Sequence, residues 1–140
     1  MMNDAMRLPR DKGGETEKIT VNLGHVDLGR VDLLVQEGFY SNRADFIRTA
    51  IRSQLAEHGD VVARSIERHS LQLGLSDCRA IDLEAARDAG ETLHIRVVGL
   101  ARIAADVSPE LARAAIGSIT VLGALQASPE VKAALADRIR

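Results

Sequence analysis

The chain has 140 residues, no tryptophan, one tyrosine and two phenylalanines. The aromatics are Phe39, Tyr40 and Phe46, all within one short stretch. Any core elsewhere must therefore be built from Leu, Ile, Val and Ala. There is one cysteine, Cys78, so no intrachain disulfide can form. That fits a cytoplasmic protein, with Cys78 itself reading as a small buried hydrophobe. No apolar run is long enough to span a bilayer, so no membrane partner is expected. Met1 to Lys18 is polar and charged and has no apolar segment of the signal-peptide kind. An excess of one charge is also missing. The net charge is −2, which speaks against a nonspecific basic nucleic-acid coat but leaves room for a local, shaped contact.

Recognisable catalytic patterns are missing too. Gly99 and Gly123 belong to neither a P-loop nor a dinucleotide fingerprint. No Ser/His/Asp or Cys/His set declares itself, so an enzyme is not expected. His25, His58, His69 and His94, taken with Cys78, show no metal-ligand spacing. No metal or cofactor is expected, and His69, on an apolar helical stripe, reads as a packed side chain.

What is present is a hydrophobic content of 46%, enough to exclude wholesale disorder. The length suits one ordinary domain or two small ones. Residues 1–16 hold Pro9, Gly13 and Gly14 among mixed charges and read as a flexible arm. Residues 17–58 form a dense unit. Residues 59–90 read as a helical linker: an amphipathic helix over 60–73, with Val62, Ile66, His69 and Leu73 on one face, and a short helix near Asp82–Ala89. Gly74 and Gly90 punctuate these two helices.

Residues 91–140 contain a repeat. Ile95-Arg-Val-Val-Gly99 is similar to Ile119-Thr-Val-Leu-Gly123, and Ser108-Pro-Glu-Leu111 to Ser128-Pro-Glu-Val131. Each copy reads as a strand, a glycine break and a helix start. Ser-Pro-Glu suits a helix N-terminus: Ser caps an orphan amide, Pro presets φ, and Glu favours the positive dipole end. Two copies fall short of a free-standing solenoid. A pseudo-symmetric β/α domain, or repeats pairing between chains, fits better. Apolar residues at both parities, Val97 with Val98 and Val121 with Leu122, suggest strands buried on both faces.

In the N-terminal unit, Lys18-Ile-Thr-Val-Asn-Leu23 alternates, placing Ile19, Val21 and Leu23 on one face and Lys18, Thr20 and Asn22 on the other. A lone strand leaves its backbone unpaired, and no second strand follows within the unit. Pairing with the same strand of a second copy solves this. A helix over Val26–Gln36 carries the stripe Leu28, Val31, Leu34 and Val35, with Gly29 inside it pointing to close packing. Gly38 ends it. Ser41 caps a second helix, with Asn42 and Arg43 in its first turn and Phe46, Ile47, Ala50, Ile51 and Leu55 as its buried stripe. Arg48 and Arg52 share an exposed side.

This order resembles the ribbon-helix-helix (MetJ/Arc/CopG-type) family of prokaryotic DNA-binding proteins. The resemblance rests on the strand Lys18–Leu23 and on Glu37-Gly-Phe-Tyr-Ser-Asn-Arg-Ala-Asp-Phe-Ile-Arg-Thr-Ala-Ile-Arg52. One departure is Gly24-His25, where relatives commonly carry Pro and an acidic residue. The resemblance implies an α+β chain: an N-terminal dimer of one strand and two helices per copy, followed here by the helical linker and the repeated β/α domain. It implies a two-stranded ribbon in the major groove of double-stranded DNA, with Lys18, Thr20 and Asn22 at base edges. It also implies backbone phosphates held by Ser41, Asn42 and Arg43 at the start of the second helix. Residues 1–58 hold eight Lys/Arg against nine Asp/Glu, so phosphate affinity must come from a few placed groups doubled by a dimer. The leading expectation is a homodimeric, sequence-specific transcriptional repressor. Its C-terminal domain would assemble dimers further or receive a protein partner or effector. The alternatives are the antitoxin of a toxin–antitoxin pair and a self-assembling scaffold.

Overall fold

A computed structural model of the chain describes residues 16–140. Apart from Thr16, the arm expected over 1–16 lies outside the described residues. The remainder divides into two compact units, residues 16–65 and residues 66–140.

In the first unit, residues 16–24 carry no regular hydrogen-bonded structure. The strand expected at Lys18–Leu23 is therefore absent from the single chain, as its unpaired backbone requires. Helix α1 spans His25–Gln36 and α2 spans Arg43–Glu57. The Gly24-His25 departure leaves α1 with Gly24 at the N-cap and no side-chain cap. Gly38 closes α1 at φ +91°. The Phe39 amide reaches the Leu34 carbonyl at 3.0 Å and the Gly38 amide the Val35 carbonyl at 3.1 Å, a Schellman turn that satisfies two orphan carbonyls. Gly29 does not mark close packing: a Cβ there meets open space.

The cap of α2 is corrected by one residue. Asn42, not Ser41, is the N-cap, its Oδ1 accepting the Asp45 amide at 2.8 Å. Asp45 Oδ2 accepts the Ser41 amide at 2.9 Å in return. Both residues qualify chemically as caps, and the acid three positions after Asn42 settles the choice. Tyr40 and Phe46 meet edge to face with centroids 5.0 Å apart.

Helix α3 spans Gly59–Arg68, shorter than the 60–73 segment expected. It stops because Ser70 takes φ +55°, with Ser70 and Leu71 amides turning back to the Glu67 and Ile66 carbonyls. His69 is thus outside the helix and exposed, not packed on a stripe. The Arg96 guanidinium, at 2.7 Å and 3.1 Å, holds the His69 carbonyl, a cation placed at a helix C-terminus.

The second unit is a parallel sheet with helices between its strands. Strand β1 (Gln72–Cys78), helix α4 (Ala80–Asp88), strand β2 (Leu93–Ile103), helix α5 (Pro109–Ala115), strand β3 (Ile116–Gln126) and helix α6 (Pro129–Ala134) follow in order, ending in a 3₁₀ turn over Ala136–Arg138. The sheet order is β1-β2-β3. A strand thus stands within 59–90, which is not wholly helical. The two repeat copies pair with each other inside one chain: Ile95 sits opposite Ile119 and Gly99 opposite Gly123. A third rung joins them, with Gly74 opposite Gly99. The glycines do not break the strands, which run through them.

Ser108 and Ser128 cap α5 and α6 as their sequences require, each Oγ accepting an amide at 3.1 Å, with Pro at the first turn. The core lies between the helices and one sheet face. Ile95, Val97, Ala101, Ile103 and Ile119 pack with Leu83, Leu111, Ala112, Val131 and Leu135. The other face is not buried: Leu73, Leu75 and Leu122 are all more than half exposed. Burial on both sheet faces is thus overturned for the single chain.

Candidate nucleic-acid interface

The N-terminal unit is short of a core. Among its described residues only Val31 is a buried hydrophobe. The α1 stripe is partly covered, with Leu28, Leu34 and Val35 half-buried. The stripe expected to be buried on α2 is not. Phe46 is half-buried, but Ile47, Ile51 and Leu55 are 41%, 54% and 60% exposed. Ile19 and Val21 are exposed at 79% and 70%. One apolar face of the 18–23 segment and one apolar face of α2 therefore lie open in the same unit. Each is the kind of surface that burial against another chain stabilises, at about 25 cal/mol per Å² removed from water.

Lys18, Thr20 and Asn22 are exposed, on the alternate positions of that segment. Their separation from Ile19, Val21 and Leu23 is a matter of sequence parity; the single chain does not by itself hold them in a ribbon. Ser41, Asn42 and Arg43 are brought together at the start of α2 and are likewise exposed. The Arg43 and Ala44 amides make no hydrogen bond within the described residues, so two donors remain at the positive end of a helix. Two carboxylates temper that end. Asp45 takes the Ser41 amide, and Asp32 of α1 grips Arg43 through Nε at 2.7 Å and Nη2 at 2.9 Å. Arg43 Nη1 is the nitrogen left outside this fork.

The fork clasps α1 to α2. Its hydrogen bond holds the Asp32 carboxyl below the usual carboxylate range and lifts Arg43 above its ordinary value. Asp32 and Asp45 are the functional neighbours that the sequence pattern did not single out. Asp45 carried a signal, an acid three residues after a capping Asn. Asp32 carried none, because only the turn of the two helices brings it to Arg43.

Among the described residues the histidines do not gather with Cys78 into a site. His94 Nδ1 lies 2.8 Å from Ser118 Oγ across β2 and β3, and His58 Nδ1 lies 3.0 Å from the Gln54 carbonyl. Among the described residues no three His, Cys, Asp or Glu side chains gather as a metal site would need. Burial pushes the half-buried Cys78 thiol up, with Asp82 and Asp77 adding to the shift. No helix among the described residues is long and apolar enough to cross a membrane.

Two helices joined by a glycine turn, preceded by an alternating segment and lacking a core of their own, make a unit whose apolar faces lie open in the single chain. The chain belongs to the ribbon-helix-helix transcriptional regulator family, whose model matches residues 14–132. The match runs through the N-terminal unit and most of the sheet unit. No curated protein and no solved structure matches the chain significantly. Membership carries DNA binding and dimerisation as family properties, and the family is typically non-enzymatic.

Proposed function

We propose that the protein is a homodimeric, sequence-specific transcriptional repressor of the cytoplasm. Two copies pair their 18–23 segments as an antiparallel ribbon that enters the major groove. The observation that carries this reading is the open apolar surface of the N-terminal unit, where Ile19, Val21, Ile47, Ile51 and Leu55 are exposed around a single buried hydrophobe. In the ribbon, Asn22 bonds adenine bidentately, Lys18 donates to guanine, and the Thr20 methyl meets a thymine methyl. Ser41, Asn42 and Arg43 meet the backbone, with the free Arg43 and Ala44 amides and Arg43 Nη1 as donors. The folded sheet unit favours a regulator over an antitoxin, for which an unfolded, toxin-wrapping tail is expected.

Asn22→Ala tests the reading. It should weaken binding to a selected site by roughly 1–3 kcal/mol per copy while sparing random DNA. Equal losses on both would exclude direct readout by Asn22. A full chain that sediments as a monomer at micromolar concentration would exclude the ribbon itself.

A further inference from the structure

We infer that the sheet unit carries two complementary edges, so that β1 of one copy adds to β3 of a second copy, parallel and in register. The inference concerns the C-terminal unit alone and does not depend on the DNA reading. Its starting point is a column of three glycines. Gly74, Gly99 and Gly123 face one another across the sheet, with φ of +119°, +137° and +123°. At Gly99 a Cβ would stand 2.2 Å from the Gly74 carbonyl oxygen, and at Gly123 it would stand 2.0 Å from the Gly99 carbonyl oxygen. Each rung thus aims a carbonyl into the space that the next glycine leaves.

The column is incomplete at both ends. Gly74 has the same backbone shape, yet nothing lies within 4 Å of where its Cβ would be. At the far end, no further glycine of the described chain receives the Gly123 carbonyl. The β1 edge therefore offers a hollow and the β3 edge a carbonyl. Two β1 edges would bring hollow to hollow, and two β3 edges carbonyl to carbonyl. Only β1 on β3 repeats the contact that the fold already makes twice.

The register agrees. Extending the pattern of the three rungs lays Gln72 of a second copy beside Val121 and Asp77 beside Gln126. Beyond β2, the start of β3 meets the C-terminal segment, through a bridge from Ile139 to Ile119, the Arg140 amide on the Ile119 carbonyl and Arg138 Nη1 on the Ile116 carbonyl. A second copy's β1 begins two rungs beyond that bridge, with its Gln72 at Val121, and its entry requires Arg140 to swing aside from the Thr120 rung. On the open sheet face, the exposed Leu73 would lie beside Leu122, and Leu75 beside Ala124, so apolar rows continue and no like charges meet. Unpaired strand edges favour such addition. Because the two edges differ, the contact is head to tail and does not close after two copies.

Directed crosslinking of the full chain tests this, in a Cys78→Ser background. One preparation carries Leu75→Cys and another Ala124→Cys. Neighbouring strands lie about 4.8 Å apart, within disulfide reach, whereas the two positions in one chain are two strands apart, about 9.5 Å, and cannot bridge. Mild oxidation should link the chains only when the preparations are mixed. Linkage of either preparation by itself would show a two-fold edge contact, and no linkage in the mixture would show no edge contact; each overturns the inference. Leu73→Cys with Leu122→Cys, on the adjacent row, repeats the test should the first pair disturb folding.

Discussion

Asp32 holds Arg43, the side chain proposed to meet a phosphate. Arg43 gives Nε and Nη2 to it, so a DNA backbone would compete with the carboxylate for the same guanidinium. Asp32→Asn should therefore strengthen binding to all sequences alike and steepen the salt dependence, by up to about one unit of slope per newly engaged phosphate. Arg43→Ala should do the reverse, and an unchanged slope in both variants would place Arg43 away from the backbone. The pair also sets a pH response. Arg43 lowers the Asp32 carboxyl, so the clasp between α1 and α2 is present above the ordinary carboxylate pKa and is lost as pH falls through the lowered value. Both side chains are about half exposed, so the effect on stability is small and screened by salt. Comparing acid unfolding of wild type and Asp32→Asn at two salt concentrations would show it. Asp137, gripped by Arg113 at 2.6 Å in the second unit, follows the same sign.

At the scale of elements, local chemistry was legible and pairing was not. Both helices of the N-terminal unit, the turn at Gly38 and the two Ser-Pro-Glu helix starts could be read from the sequence, because caps, Pro at the first turn and helical stripes act within a few residues. The proposed DNA-contacting residues rest on the same local cues, parity on an alternating segment and proximity to a helix start, and the single chain does not test them. Strand β1 was not legible. Leu73-Gly-Leu75 matches Val98-Gly-Leu100 and Leu122-Gly-Ala124, but Val62, Ile66 and Leu73 also fit a helical stripe, and periodicity cannot choose between them. The choice is made by Ser70, whose left-handed backbone no sequence pattern required. The glycines were legible as breaks and act instead as spacers inside strands. Gly123→Ala adds a Cβ onto a backbone carbonyl at a φ that L-residues avoid, a conformation costing of order 1–3 kcal/mol before the clash is counted. Thermal unfolding of the sheet unit should move down by at least several degrees. A melting midpoint equal to wild type would mean that the rungs are not stacked through this column.

For the whole molecule, the two units differ in how they reach stability. The sheet unit closes its own core around Leu83, Ile116, Ile119 and Leu135, all fully buried. The N-terminal unit does not, and under the proposed function its folding belongs to the dimer. The proposed function then expects binding to one site to need only the N-terminal unit, and binding to adjacent sites to gain from any surface that joins dimers. Two linked contacts act at an effective concentration fixed by the linkage, so avidity on paired sites exceeds single-site affinity without a new base contact. A chain cut after Ser70 keeps α1, α2 and α3 and loses all three strands. It should remain dimeric and hold a single site nearly as well as the full chain. On DNA with two adjacent sites it should bind each independently, whereas the full chain should fill both over a narrower range of protein concentration. Titrations on one-site and two-site DNA at fixed salt measure the difference. Equal cooperativity in the two proteins would mean that dimers meet through the N-terminal units, and a monomeric truncated chain would mean that the sheet unit carries the dimer.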